Sequence, residues 1–160
     1  MHVTSLAIRG GQFLLTILTL ALSGALVAQQ LIGGSPSQVN FALFASIWSF
    51  LGGFYTLYTV ITDSGIAQVL LGLDASNTLF TFAAATALAA GLGVHSCGNM
   101  AYVKSNSITN GSLNPTARCH EAQALTAFLW FLFGTYLASL VLSVLAWRRG
   151  SVVPASRSRV

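Results

Sequence analysis

The chain has 160 residues, of which 54% are hydrophobic and only 6% are charged, and its mean hydropathy is +0.74. Because about 25% of the residues in a typical soluble domain are charged, this composition excludes a soluble globule. The net charge of +4 comes mainly from four arginines in the last 13 residues, which indicates a membrane-surface tail rather than a nucleic-acid-binding protein.

Four apolar windows follow one another along the chain, at residues 13–32, 41–62, 66–94 and 122–147. A helix needs about 20 residues to cross a hydrocarbon core of ~30 Å, and each window is long enough. Consecutive apolar positions, as in 79–92, do not fit the alternation of a barrel strand. The sequence therefore predicts an all-α membrane protein, with a four-helix transmembrane bundle in residues 1–147 and a basic tail in 148–160.

The first window has an alternative interpretation as a signal peptide. Arg9 precedes the apolar run of residues 13–22, and the small residues 23–25 are suitable for a cleavage site. We favour a retained helix because the apolar run continues to Ile32 and so reaches spanning length.

Small residues recur at helical spacing in the other windows, where they allow helix backbones to approach closely. We favour packing within the bundle, and contact with a second copy of the chain is the alternative. The positions are Ser49, Gly53, Ala83, Ala87, Gly91, Gly134 and Ala138.

Asp74 is the one ionisable residue within the four windows. Such residues are expensive in lipid, so one hypothesis is a small transporter or channel subunit with a proton or cation relay. The relay would use Asp74 and its polar neighbours Asn77, Thr78 and Thr81. Residues 75–94 are enough to cross the membrane, however, so we expect Asp74 at the interface near the helix start, where a carboxylate suits the helix dipole.

The connection from His95 to Glu121 is the longest in the chain and contains both cysteines. We favour a disulfide between Cys97 and Cys119, because an outward-facing loop lies in an oxidising compartment and the C-x2–4-C spacing of zinc ligands is absent. The alternatives are two free thiols and a zinc site that also uses His95 and His120.

Asn110 begins the chain's N-glycosylation sequon, Asn-Gly-Ser, and its place in the longest loop makes it a candidate for modification.

Basic residues predict the orientation. Two of them, Lys104 and Arg118, lie on the side of the long loop, and five lie on the side of the termini: Arg9, Arg148, Arg149, Arg157 and Arg159. Both termini are therefore expected in the cytoplasm. We expect the four tail arginines to contact anionic lipid, and a phosphate on Ser151, which follows two of them at R-R-x-S spacing, to weaken that contact.

The sequence contains no arrangement typical of a catalytic site, such as H-E-x-x-H, G-x-S-x-G or a phosphate-binding loop. We therefore predict a protein that is not an enzyme and that uses no metal or cofactor.

Several short motifs between residues 73 and 124 share one resemblance. They are Leu73-Asp74, Phe80-Thr81-Phe82, His95-Ser96-Cys97, Tyr102, Ser105-Asn106, Ile108-Thr109, Gly111-Ser112, Arg118-Cys119 and Ala122-Gln123-Ala124. In these motifs the chain resembles the fungal non-classical export branch of the MARVEL-domain proteins.

The resemblance implies a tetraspan protein of the plasma membrane with both termini in the cytoplasm. It also implies a role in organising eisosomes, which are furrow-like membrane domains, with links to sphingolipid status and unconventional export. The expected partners are membrane lipids (sphingolipid, sterol or anionic lipid), eisosome proteins and a second copy of the chain. Cys97 and Cys119 would be the family's loop cysteines, and Asp74 its acidic position.

Overall fold

The computed structural model describes residues 2–62 and 64–148, and this part of the chain contains five helices. They are α1 (His2–Ala28), α2 (Ser37–Thr62), α3 (Ala67–Leu92), α4 (Met100–Ser105) and α5 (Pro115–Arg148). All except the short α4 are long and apolar enough to cross a membrane. The predicted fold class, an all-α protein with four membrane-spanning helices, is thus confirmed.

Two helices extend well beyond the apolar windows. α1 begins at His2 rather than at residue 13 and ends at Ala28 rather than at residue 32, and α5 begins at Pro115 rather than at residue 122. Proline fits the first turn of a helix, and the side chain of Asn114 accepts a hydrogen bond from the backbone N–H of Ala117 at 3.1 Å. Hydropathy detects the lipid-compatible part of a helix and misses such polar ends.

The four long helices are arranged in a square. Each packs against two neighbours, in the order α1, α2, α3, α5 and back to α1, so that α1 lies diagonally opposite α3. Successive long helices run in opposite directions. We call the end with the helix connection at 93–114 the loop end, and the end with the start of α1 the terminal end.

The buried core changes character along the bundle. Towards the loop end it is apolar and contains Leu26, Ala42, Ala45, Ala84, Ala85, Leu88, Leu125 and Leu129. Towards the terminal end the buried side chains are polar, and include Gln12, Thr16, Ser49, Asp74, Asn77 and Ser139. A functional site is therefore expected among these buried polar side chains.

The small residues of α2 allow close helix contact. Ser49 and Gly53 are buried, and a Cβ atom built on Gly53 would lie 2.9 Å from the ring of Phe13 on α1. A Cβ on Gly91 of α3 would lie 2.6 Å from Ile108 of the long loop, so this glycine accommodates the loop rather than a helix.

The other small residues do not have the predicted role. Gly134 and Ala138 are exposed, and a Cβ on Gly134 meets nothing within 4 Å, so the prediction that they pack within the bundle is wrong. The bundle face of α5 consists instead of larger residues such as Leu132 and Tyr136. Ala83 and Ala87 are only half-buried because Ala84, Ala85 and Leu88 form the core face of α3.

Candidate functional site

An ion pair joins α1 to α3 near the terminal end. The Nη1 atom of Arg9 donates to Oδ1 of Asp74 at 2.5 Å, and Nη2 donates to Oδ2 at 2.7 Å. This two-pronged geometry is the strong form of the arginine–carboxylate contact. The side chain of Asp74 is fully buried and that of Arg9 is 12% exposed. Because α1 and α3 are diagonal, the pair crosses the centre of the bundle.

Gln12 connects this pair to α5. Its Oε1 accepts from Nη1 of Arg9 at 3.1 Å, and its Nε2 donates to the carbonyl of Thr135 at 3.0 Å and to the hydroxyl of Ser139 at 2.9 Å. We call Arg9, Gln12, Asp74 and Ser139 the terminal-end polar network. It uses a side chain from each of three helices, so a change in one member affects the others.

The position of Asp74 differs from the prediction, which placed this carboxylate at the membrane interface near the start of its helix. It lies seven residues after Ala67, beyond the first turn in which the helix dipole acts, and its side chain is enclosed by protein. The physical reason is Arg9, which supplies the opposite charge and both hydrogen bonds. In the sequence, Arg9 indicated an orientation or the start of a signal peptide, and its contact with Asp74 was not predicted.

The polar neighbours of Asp74 also have hydrogen-bond partners within the protein. Asn77 accepts a hydrogen bond from Ser49 of α2 at 2.7 Å. The hydroxyls of Thr78 and Thr81 each donate to a carbonyl one turn earlier in α3, at 2.6 Å. Asp74 and Asn77 therefore join α3 to α1 and α2, whereas the hydroxyls of Thr78 and Thr81 are satisfied within α3.

A second buried charge, Arg118, lies at the loop end. Its Nε donates to the carbonyl of Ile108 at 2.6 Å, Nη1 to the carbonyl of Leu26 at 2.6 Å, and Nη2 to Oε1 of Gln30 at 2.5 Å. Arg118 is thus not the surface charge that the orientation argument assumed. It joins the start of α5 to the end of α1 and to the long loop.

The long loop is a folded cap rather than a free connection. Cys97 and Cys119 form a disulfide with a Cα–Cα distance of 5.7 Å, so neither is available as a free thiol or a zinc ligand in this state. The hydroxyl of Tyr102 donates to the carbonyl of Leu92, and burial raises the pKa of this phenol above its ordinary value. The ring of His95, a ligand in the alternative zinc site, lies against the ring of Tyr102, with the centroids 4.5 Å apart and the planes tilted by 33°.

The glycosylation sequon lies in this cap. Asn110 is exposed, but the carbonyl of the next residue, Gly111, accepts hydrogen bonds from the backbone N–H groups of Leu31 and Ile32 at 2.8 and 3.2 Å. The sequon is therefore fixed to the end of α1, and glycosylation of Asn110 stays a prediction.

The basic tail lies mostly outside the described residues. Arg148 is exposed and ends α5, whereas Arg149, Ser151, Arg157 and Arg159 are not described. Lipid contact by these arginines and phosphorylation of Ser151 stay predictions.

The chain is similar to a family of membrane domains and to several fungal proteins. A family model described as MARVEL, a membrane-associating domain, matches residues 3–142, which include nearly all of α1 and most of α5. Non-classical export protein 102 of Candida albicans is 36% identical over 96% of this chain and 92% of its own length. Non-classical export protein 2 of Saccharomyces cerevisiae is 38% identical over 82% and 75%, and its Schizosaccharomyces pombe homolog is 35% identical over 83% and 72%. No solved structure matches the chain.

Proposed function

The chain belongs to the MARVEL family of membrane-associating domains, and we propose that it is a non-enzymatic organiser of lateral domains in the plasma membrane, of the eisosome type. Its four apolar helices make it a multi-pass membrane protein. The names of its fungal relatives support a link to unconventional protein export. A link to sphingolipid status is part of the same proposal.

The observation that carries the proposal is the separation of polar and apolar groups in the bundle. Large apolar side chains face outward on every long helix, including Leu14, Leu51, Phe54, Leu79, Phe131 and Leu142. The intramembrane acid is turned inward and is neutralised by Arg9. A closed bundle with a largely apolar exterior is suited to lateral contact with lipid and with other helices.

The alternative, a transporter or channel subunit, needs a carboxylate that is free to exchange a proton or cation. Both oxygens of Asp74 accept from Arg9 instead. The direct test is flux through proteoliposomes: loss of a proton-coupled or cation flux in a folded Asp74→Asn protein would favour the transporter over the organiser.

Our proposal places both termini in the cytoplasm and the loop end outside the cell. Basic residues of the tail support this orientation, and a disulfide in the cap suits an oxidising compartment. Membrane-impermeant thiol reagents applied to intact cells should label the two cap cysteines only after reduction. Labelling without a reductant would contradict the disulfide, and failure to label after reduction would contradict the orientation.

The experiment for the function is localisation of a fluorescently tagged full-length chain in yeast that lacks its own non-classical export proteins. We expect static patches that coincide with a furrow-coat protein and recover slowly after photobleaching. A Lys104→Gln chain is a suitable control, because this side chain is exposed and lies outside the spanning helices. A uniform distribution of the unmodified chain would contradict the organiser role.

A further inference from the structure

The three residues of the glycosylation sequon are not equally accessible in the folded cap. Asn110 is exposed, whereas the next residue, Gly111, is buried. The hydroxyl oxygen of Ser112 is also buried, and it has no hydrogen-bond partner among the described residues. The two residues before the sequon, Ile108 and Thr109, are fully buried. Asn110 is therefore exposed between neighbours that are largely enclosed by the protein.

An N-glycosylation sequon is recognised at two of its three positions. The asparagine supplies the amide nitrogen that receives the glycan, and the third residue must be Ser or Thr. Because a hydroxyl group is the polar group that these two residues share, the enzyme must recognise this hydroxyl. It must therefore contact Asn110 and the hydroxyl of Ser112 together, and the folded cap exposes only the first of them.

The middle of the sequon is held against the end of α1. The carbonyl of Gly111 accepts hydrogen bonds from the backbone N–H groups of Leu31 and Ile32 at 2.8 and 3.2 Å. A Cβ atom on Gly111 would overlap the side-chain amide of Gln30, so this amide lies directly on the glycine. Nη2 of Arg118 in turn donates to Oε1 of Gln30 at 2.5 Å. While these contacts last, the sequon cannot move into the active site of an enzyme.

Two connections to α5 keep the cap closed. The disulfide joins Cys97, which lies five residues after the end of α3, to Cys119 near the start of α5. Nε of Arg118 donates to the carbonyl of Ile108, two residues before Asn110, at 2.6 Å. Both α5 residues follow the sequon in the chain, so the cap cannot close until they have been synthesised. During synthesis there is therefore an interval in which the sequon is accessible.

We propose that Asn110 is glycosylated only while the cap is open, and that closure of the cap ends this modification. In the transfer, Nδ2 of Asn110 bonds to the anomeric carbon of an oligosaccharide carried on a lipid diphosphate. The bond from this carbon to the diphosphate oxygen breaks, the lipid diphosphate leaves with the electron pair, and the amide releases one proton.

Closure is completed when the thiols of Cys97 and Cys119 pass two electrons and two protons to a disulfide-bearing oxidant of the same compartment. In cells this competition requires the proposed orientation, on which the inference rests, because that orientation places the loop end where glycans are attached. The exposed side chain of Asn110 allows a glycan that is attached early to remain after closure. A glycan therefore marks chains in which closure was slow.

The test presents the purified full-length chain, made in a host without N-glycosylation, to purified oligosaccharyltransferase and its lipid-linked oligosaccharide in detergent. Transfer is measured as a mass increase of one glycan that an endoglycosidase removes. We expect no transfer to the chain with its disulfide intact. The variant with Cys97→Ser and Cys119→Ser should accept the glycan at least about tenfold faster, since the disulfide excludes open conformations.

Further variants separate the cap from the acceptor itself. Arg118→Gln releases Gln30 but keeps the disulfide, and it should also accelerate transfer, which covers the case in which the cysteine-free chain aggregates. Lys104→Gln is the matched control, because this position of α4 is exposed and its replacement should leave transfer as slow as in the original chain. Asn110→Gln or Ser112→Ala, added to each open chain, should abolish transfer.

Equal rates of transfer to the closed and open chains, or no transfer to any of them, would overturn the inference. Because the detergent assay does not depend on orientation, orientation is tested separately in yeast with a second sequon appended to the C-terminal end. Glycosylation of the appended sequon would refute the proposed orientation. Glycosylation at Asn110 that increases in the cysteine-free chain, with the appended sequon unmodified, would support both.

Discussion

Replacing Asp74 with Asn tests the terminal-end polar network most directly. The substitution keeps the size of the side chain and removes its charge, which leaves Arg9 without its counter-ion. Since Asp74 is fully buried and Arg9 is 12% exposed, little water is available to replace the lost interaction. Two short hydrogen bonds, of 2.5 and 2.7 Å, are affected at once.

The expected loss of folding stability is about 3 kcal/mol. Removing one partner of a buried ion pair costs about 3–5 kcal/mol, because the remaining charge is uncompensated. The lower value applies here because the oxygen of Asn can still accept one hydrogen bond from Arg9. Asp74→Leu removes that acceptor too, and should cost about 5 kcal/mol. In the double variant Arg9→Met with Asp74→Leu, no charge is left unpaired, so most of the loss should be recovered.

The measurement is the free energy of unfolding of the purified chain in mild detergent, obtained from denaturant titration followed by circular dichroism. The double-mutant cycle should give a coupling energy of several kcal/mol between the two positions, above the usual range for contacting residues, because each single variant leaves a buried charge uncompensated and the double variant leaves none. A loss below about 1 kcal/mol for Asp74→Asn, together with a coupling energy near zero, would show that the ion pair does not hold α1 against α3.

Further predictions concern the cap, the helix contacts and the tail. Reduction of the disulfide, whose cysteines are 22 residues apart, should lower the free energy of unfolding by about 3 kcal/mol in the chain-entropy treatment, measured with and without reductant. Arg118→Gln should lower the free energy of unfolding by about 3 kcal/mol, because it removes donors from buried carbonyls. Lys104→Gln, at an exposed site, should change it by less than about 0.5 kcal/mol. Equal effects of the two substitutions would contradict the role of the buried arginine. Gly53→Ala should lower the free energy of unfolding by about 1–3 kcal/mol, because the added methyl group overpacks the contact with Phe13. Gly134→Ala should leave the free energy of unfolding unchanged or raise it, and the same denaturant titration measures both variants. A phosphate on Ser151 should weaken the binding of the isolated tail peptide to anionic vesicles at low salt, and equal binding of both peptides would leave the tail only its role in orientation.

The spanning helices could be predicted from sequence because hydropathy is a local property. α2 and α3 begin and end within about four residues of their windows, since turn residues stand close to both ends. The start of α1 could not be found in this way. Its first turns contain Arg9, Gly10, Gly11 and Gln12, which lower the hydropathy of the segment although the helix continues through them.

The ion pair escaped the sequence analysis because its partners are 65 residues apart and on diagonal helices. A weak signal was nevertheless present. Arg9 lies seven residues after the first residue of α1, and Asp74 lies seven residues after the first residue of α3. Because α1 and α3 run in the same direction, equal spacing places both charges at the same level. Correct helix starts were therefore needed before the contact could be predicted.

The two buried arginines alter the orientation argument without reversing it. The positive-inside rule concerns basic residues in exposed flanks, but Arg9 is paired with a carboxylate and Arg118 donates to carbonyls within the fold. Removing one residue from each side of the count of five against two leaves four against one. The four that remain are all in the tail, and the one on the other side is Lys104. The predicted orientation therefore depends on the arginines at and after the end of α5, whereas the arginine of α1 lies in the interior of the bundle.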